Sequence, residues 1–185
     1  MMKLGTKITG GAAALVASAY LALFSPTLQS FLGKWEGEGQ NIVYADKLAG
    51  GLPTVCKGIT EHTTSEPLVV GDYWSPERCE TVERLVVRKG QMQLADCIDV
   101  VVSQPVFDAL SSHAHNFGTP ATCASRAVGL INAGRLREGC NALAHAPNGS
   151  PVWSYVTDAK GAKVFVPGLY NRRLDEERLC LSGLR

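Results

Sequence analysis

Trp35-Glu36-Gly37-Glu38-Gly39-Gln40-Asn41-Ile42-Val43-Tyr44-Ala45-Asp46 is followed by Pro53-Thr54-Val55-Cys56 and by Gly58-Ile59-Thr60-Glu61-His62-Thr63. Glycines at 37, 39, 50, 51 and 58 punctuate short runs of Val, Ile, Thr and Tyr, which is the pattern of brief strands joined by tight turns. Three acids, Glu36, Glu38 and Asp46, fall within this one stretch. Paired carboxylates beside a groove are what glycosidic bond cleavage needs: one protonated to donate to the leaving oxygen, one ionised to act on water or on the sugar.

Downstream the texture changes to helical. Ser75-Pro76-Glu77 supplies an N-cap, a Pro at N1 and an acid in the first turn, ahead of Cys79, Val82, Leu85, Val86 and Met92. Gln104-Pro105 opens a second helix ending at Asn116-Phe117-Gly118. Thr119-Pro120 opens a third through Ala127 to Asn132, capped by Gly134. Residues 135–144 and 168–181 complete the set, with Arg172, Arg173, Asp175, Glu176, Glu177 and Arg178 read as an exposed charged face. A small β-rich piece followed by about five helices is an α+β pattern.

Upstream, Lys3 and Lys7 precede a charge-free stretch over residues 8–33. As a helix it would extend about 39 Å at about 1.5 Å per residue, enough for a bilayer. Glycines and alanines dilute its apolar residues, and Pro26 reads as a breaker near its outer end. Positive charge before the stretch favours an N-terminus held in the cytoplasm and a remainder exported. A weak, releasable anchor is the preferred reading; a signal peptide cleaved after Ala17-Ser18-Ala19 and a permanent anchor are the alternatives. The chain thus divides into residues 1–33, an apolar N-terminal segment, and residues 34–185, a single domain.

The six cysteines all lie beyond residue 50, with none in a CxxC pair. An even, dispersed set implies three disulfides and an oxidising compartment, which agrees with export. The expected pairing is Cys56 with Cys79, Cys97 with Cys180 and Cys123 with Cys140. Charge is balanced, with 18 Lys and Arg against 17 Asp and Glu, and 45% of residues are hydrophobic. That disfavours a nucleic-acid binder working through a basic face and excludes a disordered chain. His113 and His115, two apart on a helix, point to different sides and do not make a metal site with Asp108. His62, His113 and His145 read as surface histidines. Cys123 beside either His113 or His115 would suggest a thiol peptidase, but a disulfide accounts for that cysteine better.

In this order, Trp-Glu-Gly, Tyr-x-Asp, Thr-Val-Cys and the His-Thr at 62–63 resemble the phage lysozyme family, glycoside hydrolase family 24. Phe107-Asp108-Ala109-Leu110 leading to Asn116-Phe117-Gly118, then Leu130-Ile131-Asn132-Ala133-Gly134, and Val166-Pro167-Gly168-Leu169 with Asn171-Arg172-Arg173 and Glu176, extend the resemblance over most of residues 34–182. It implies a lysozyme-like fold, a small β-rich lobe plus a larger helical lobe, with an N-terminal apolar helix. It implies an endolysin, an N-acetylmuramidase acting on the peptidoglycan glycan strand without cofactor or metal, as a monomer. It also implies the signal-anchor-release type: held inactive at the inner membrane through residues 8–33 facing the periplasm, then released. Carried over by position, Glu36 is the acid, Asp46 the second carboxylate, and Thr54 the hydroxyl that helps place the attacking water. Ten positions separate Glu36 from Asp46 where the family usually has nine; Glu38, eight away, is the other candidate acid. Trp35 and Gly37 favour Glu36, with the added residue taken up among Gly39, Gln40 and Asn41. A lytic transglycosylase, or a non-catalytic glycan-binding or inhibitory module, are the alternatives.

Overall fold

The computed structural model describes residues 21–36, 39–47, 50–158 and 160–184. Helix α1 (Pro26–Glu36) leads into a three-stranded antiparallel sheet, β1 (Gln40–Asp46), β2 (Leu52–Cys56) and β3 (Ile59–Thr60), in the order β1-β2-β3. Helix α2 (Pro76–Ala95) links this small lobe to a helical lobe. That lobe comprises α3 (Gln104–Phe117), α4 (Thr119–Cys123), α5 (Arg126–Asn132), α6 (Leu136–Asn141) and α7 (Pro167–Ser182), with the hairpin β4 (Tyr155–Thr157) and β5 (Lys163–Phe165) between α6 and α7. The expected small β-rich lobe plus larger helical lobe is therefore present.

The long helices begin where their caps dictate. Ser75 Oγ accepts from the Arg78 amide and Pro76 sits in the first turn of α2, while Ser103 precedes α3. The third helix expected over Thr119 to Asn132 is instead two. α4 stops at Cys123, and Ser125 starts α5 by accepting from the Val128 amide. A serine side chain that caps a new turn competes with continuation of the old one. Gly118, at φ 86°, makes the reversal between α3 and α4 that a side chain would strain.

Two cores result. Val43, Val55, Ile59 and Trp74 pack with Cys79 and Val82 of α2 under the sheet. Leu94, Val106, Phe107, Leu110, Ile131 and Leu143 fill the helical lobe around α3. Leu85 and Met92, in the periodic run of α2, are exposed; Glu83 and Gln91 take inward positions. A charged and an amide side chain inside signal polar partners there.

The N-terminal segment departs from expectation at Pro26. It begins α1 rather than ending a helix, the role that a fixed φ and a missing N–H suit. Ser25 Oγ caps it by accepting from the Leu28 amide. α1 runs through position 33, the expected boundary, so residues 26–33 are structurally continuous with the acid at its end. Phe24, Leu28 and Leu32 are buried against Val87. Among the described residues no helix is long and apolar enough to cross a membrane; residues 8–20 of the expected apolar helix lie outside those described.

Three disulfides form, Cys56–Cys79, Cys97–Cys123 and Cys140–Cys180. The first is as expected; the pairs Cys97–Cys180 and Cys123–Cys140 are corrected. α4 packs back on α2, bringing Cys123 to Cys97, two residues past the end of α2, and α6 packs on α7, which buries Cys140 and Cys180 together in the core. Chain order hides both approaches.

The α5–α6 contact is close enough to test. A Cβ on Gly139 would lie 2.5 Å from Ile131 Cγ1 and 3.0 Å from Ala127 O, whereas Gly129 in α5 has nothing within 4 Å. Gly139→Ala is expected to destabilise the protein by about 2 kcal/mol, a Tm fall of roughly 4 to 8 °C. Gly129→Ala should be neutral or stabilising, since alanine disfavours the unfolded chain's freedom. Thermal unfolding of the two variants side by side checks the contrast.

Candidate active site

Glu36 is the last residue of α1, and what holds it comes from distant parts of the chain. Arg172 Nη1 of α7 donates to Glu36 Oε1 at 2.5 Å, and His115 Nε2 of α3 stands 3.8 Å from the same oxygen. Behind Arg172 lies a buried cluster: Arg173 Nη2 to Glu176 Oε1 at 2.7 Å, Ser112 Oγ donating to Glu176 Oε1 at 2.7 Å, and Arg172 Nε 3.4 Å from Glu176 Oε1. Arg172, Arg173 and Glu176 are at most 4% exposed, which corrects the reading of these three as part of an exposed charged face; Arg178 is exposed. Their spacing of one, three and four puts them on one side of α7, and that side faces α3. Burial pushes Arg173 down to about 10, against the pull of Glu176, and pushes Glu176 up. Glu36 and Glu176 set two carboxyl groups against the two guanidiniums, the pairing that burial requires.

Glu36 opens onto a cavity of about 400 Å³ between the small lobe and the α3–α4 corner. Lys57, Glu83, His62, His115 and Pro120 are among its walls. Lys57 Nζ lies 3.7 Å from Glu83 Oε2, and burial raises the Glu83 carboxyl against that lysine's pull. His62 is exposed, as expected. His113 is not: it is fully buried, with Nδ1 2.8 Å from Thr122 Oγ1 and its ring edge-on to Trp153 at 4.8 Å. Burial, then Arg173 and Arg172, push it down to about 3. His145 is half-buried beside Tyr170 and Glu177.

Asp46 ends β1 and Thr54 lies in β2. Tyr44 pairs with Thr54 and Asp46 with Leu52, and cross-strand partners share a face of the sheet, so Asp46 and Thr54 stand on the same face of the hairpin. The alternate face carries Val55 and Ile59 into the core. Four residues of β1 advance against two of β2 between Gln40 and Tyr44, a bulge in β1. Thr54 Oγ1 is buried and donates to the Leu52 carbonyl at 3.0 Å, leaving its lone pairs to accept. Neither Asp46 nor Thr54 is on the wall of the cavity that Glu36 enters; both sit on the strand pair that leads into Lys57. Glu38 lies outside the described residues.

The phage lysozyme family model matches residues 33–176, and the chain is 34% identical over 132 residues to a SAR-endolysin of Pseudomonas phage phiKMV, covering 71% of this chain and 74% of that one. The chain belongs to the phage lysozyme family. Among solved structures, an endolysin from Escherichia coli O157:H7 phage FAHEc1 superposes with TM-score 0.72 at 27% identity, over 89% of this chain and 96% of that one. The muramidase domain of SpmX from Asticaccaulis excentricus superposes with TM-score 0.70 at 22% identity, over 87% and 98%, a likeness of fold.

Arg172, His115, Lys57 and Glu83 are the site residues that sequence reasoning missed. The Arg172-Arg173-x-x-Glu176 spacing was a usable signal for the first, because opposite charges three and four apart on one helix form clusters. Nothing local announces that His115 faces Glu36.

Proposed function

We propose that the protein is a phage or prophage endolysin that hydrolyses the β-1,4 bond between N-acetylmuramic acid and N-acetylglucosamine in peptidoglycan. The observation that carries this reading is the place of Glu36: at a helix end, at the mouth of a cavity, and gripped by a buried arginine, in a chain of the phage lysozyme family. Glu36 in its acid form protonates the glycosidic oxygen as the bond to C1 breaks. Asp46 orders and deprotonates a water that attacks C1 from the opposite face, and the Thr54 lone pair holds that water in line. No metal or cofactor is called for.

The relative named a SAR-endolysin and the charge-free residues 8–33 together support export, with the chain tethered at the inner membrane and then released to the periplasm. Ser25 donates to Asp108 Oδ2 at 2.6 Å, Gln91 Oε1 accepts from the Phe24 amide at 2.7 Å, and Gln104 Oε1 accepts from the Ala22 amide at 2.7 Å. Residues 22–32 cannot hold these contacts and lie in a bilayer at once, so on this reading the described arrangement is the one reached after release.

Mass analysis of muropeptides freed from purified peptidoglycan tests the chemistry. Reducing N-acetylmuramic acid ends are expected; anhydro ends would mark a transglycosylase, and binding without products would mark a glycan-binding module.

A further inference from the structure

The β4–β5 hairpin leaves apolar surface in water that the fold does not use. All six strand residues are exposed, and Tyr155, Val156, Val164 and Phe165 are each between 40% and 47% exposed. Exposed apolar clusters of this kind mark interaction sites. Register divides the hairpin into two faces. Tyr155 lies opposite Phe165 and Thr157 opposite Lys163, and residues two apart on a strand share a face, so these four stand together while Val156 and Val164 take the other side. The aromatic face continues onto α7. Ring centroids of Tyr155 and Phe165 are 5.5 Å apart, those of Phe165 and Tyr170 5.7 Å, and those of Tyr170 and His145 6.0 Å. Tyr170 is held from behind: its hydroxyl lies 3.0 Å from His145 Nε2, and His145 Nδ1 stands 3.4 Å from Glu177 Oε2. With Nδ1–H turned to that carboxylate, Nε2 accepts from the phenol, and the Tyr170 oxygen keeps its lone pairs for a ligand. None of these rings is on the wall of the cavity that Glu36 enters. Tyr170 and Arg172, two apart on α7, point to different sides of the helix, yet one helix carries both.

We propose that Tyr155, Phe165 and Tyr170, with Thr157 and Lys163 at their rim, form a second glycan-binding surface that holds a peptidoglycan strand outside the cavity. The proposal rests on peptidoglycan being the substrate. A pyranose has an apolar C–H face bounded by hydroxyls, and the electron-rich face of an aromatic ring attracts those C–H groups. Thr157 and Tyr170 supply hydroxyls for the polar edge of the sugar. The stem peptides of the polymer carry carboxylates, which Lys163 on the same face and Lys160 in the turn complement. Asp158, the acid of that turn, is engaged by the amides of Lys160 and Ala162 at 2.8 and 2.9 Å. A bilayer is the poorer fit. An inserting hairpin carries its apolar residues at the tip, whereas this tip holds Asp158, Lys160 and Gly161, and the aromatics stand at the base beside α7. A strand held on this surface stays close to the enzyme between cuts, which raises its effective concentration at the acid.

Co-sedimentation with purified peptidoglycan sacculi tests this, in the full chain carrying Glu36→Gln so that strands stay uncut. Tyr155→Leu with Phe165→Leu removes both rings and keeps the apolar volume, and is expected to weaken sacculus binding about tenfold. Tyr155→Phe with Phe165→Tyr keeps both rings and should keep binding. Lys163→Gln should weaken binding by about threefold at low salt and make no difference at high salt. Val156→Ser with Val164→Ser, on the opposite face, should leave binding unchanged. Tm of each variant is the control for folding; if the leucine pair does not fold, Tyr155→Leu alone, at an exposed position, should still weaken binding several-fold. Vesicles of phosphatidylethanolamine and phosphatidylglycerol, which meet the same N-terminal segment in every variant, should not distinguish the leucine pair from its parent. Full sacculus binding in the folded leucine variant, an equal loss in the valine-face variant, or a loss seen on vesicles in place of sacculi overturns the proposal. Wild type that releases no muropeptides would fail the muramidase reading by itself, and the sedimentation result still decides whether this face holds glycan.

Discussion

Glu36→Gln is expected to lower the rate of peptidoglycan hydrolysis by roughly 10²- to 10⁴-fold, the range for loss of a positioned general acid, while leaving Tm within a few degrees of wild type. The two halves of this expectation have different origins. The amide cannot donate the proton that the leaving oxygen needs, so the chemical step slows. Its carbonyl oxygen can still accept from Arg172 Nη1, so the guanidinium, which is 5% exposed in its side chain, keeps a partner. Glu36→Ala removes that partner as well and is expected to lose stability in addition, although Glu176 and the Ser112 hydroxyl retain part of the Arg172 contacts. Glu38→Gln serves as the discriminating control. Near-wild-type activity in it, beside an inactive Glu36→Gln, assigns the acid; the reverse pattern moves the acid to Glu38. Asp46→Asn completes the set, since an inverting mechanism loses its water-activating base there.

Where the chain announces itself locally, reading it in order was enough. Ser75-Pro76-Glu77 and Gln104-Pro105 start helices for reasons contained within a few residues, and the alternation around Tyr44 and Thr54 makes a hairpin for the same kind of reason. Ser125 held an equally local signal, a serine three before Val128, which the longer periodic run from Thr119 obscured. The site was half legible. Glu36, Asp46 and Thr54 lie in one short stretch whose order carries the family resemblance. The groups that hold Glu36 lie elsewhere: Arg172 is 136 positions away, and His115 stands on a helix whose other histidine is core. Charged residues on a terminal helix read as a solvated face because most are. Arg172, Arg173 and Glu176 are buried here because opposite charges meet one another and Ser112, and charge pairing of this kind leaves no mark in composition. Pairing of Cys97 with Cys123 and of Cys140 with Cys180 was hidden likewise, since helix packing rather than chain order brings each pair together.

Deleting residues 1–20 is expected to leave a folded enzyme with Tm within about 2 °C of wild type, because every contact described for residues 21–36 remains in place. Deleting residues 1–26 should instead unfold it or nearly so. That cut removes Phe24 from its seat beside Leu28, Leu32 and Val87, worth about 2 to 3 kcal/mol for a buried aromatic. It also leaves Gln91 Oε1 without the Phe24 amide and Asp108 Oδ2 without the Ser25 hydroxyl; each buried group stripped of a partner costs about 1 to 3 kcal/mol. Asp108 is fully buried, and burial already raises its carboxyl against the hydrogen bonds of Ser25 and Gln104. The combined loss is comparable with the whole stability of a domain, about 5 to 15 kcal/mol. Loss of activity on cutting at 26 therefore reports a missing part of the protein rather than a missing tether, and Ser25→Ala, expected to lower stability by about 2 to 5 kcal/mol through the lost cap and the stripped Asp108 carboxyl, grades the same contact without removing the chain. Circular dichroism melts of the three variants, with activity on peptidoglycan at a temperature where all remain folded, check the ranking; a stable, active protein lacking residues 1–26 would contradict it. The proposed membrane-held form would lack these same contacts. A segment in the bilayer withholds Phe24, Ser25, Leu28 and Leu32 from α2 and α3, and α1, which ends in Glu36, then has no surface to lie on.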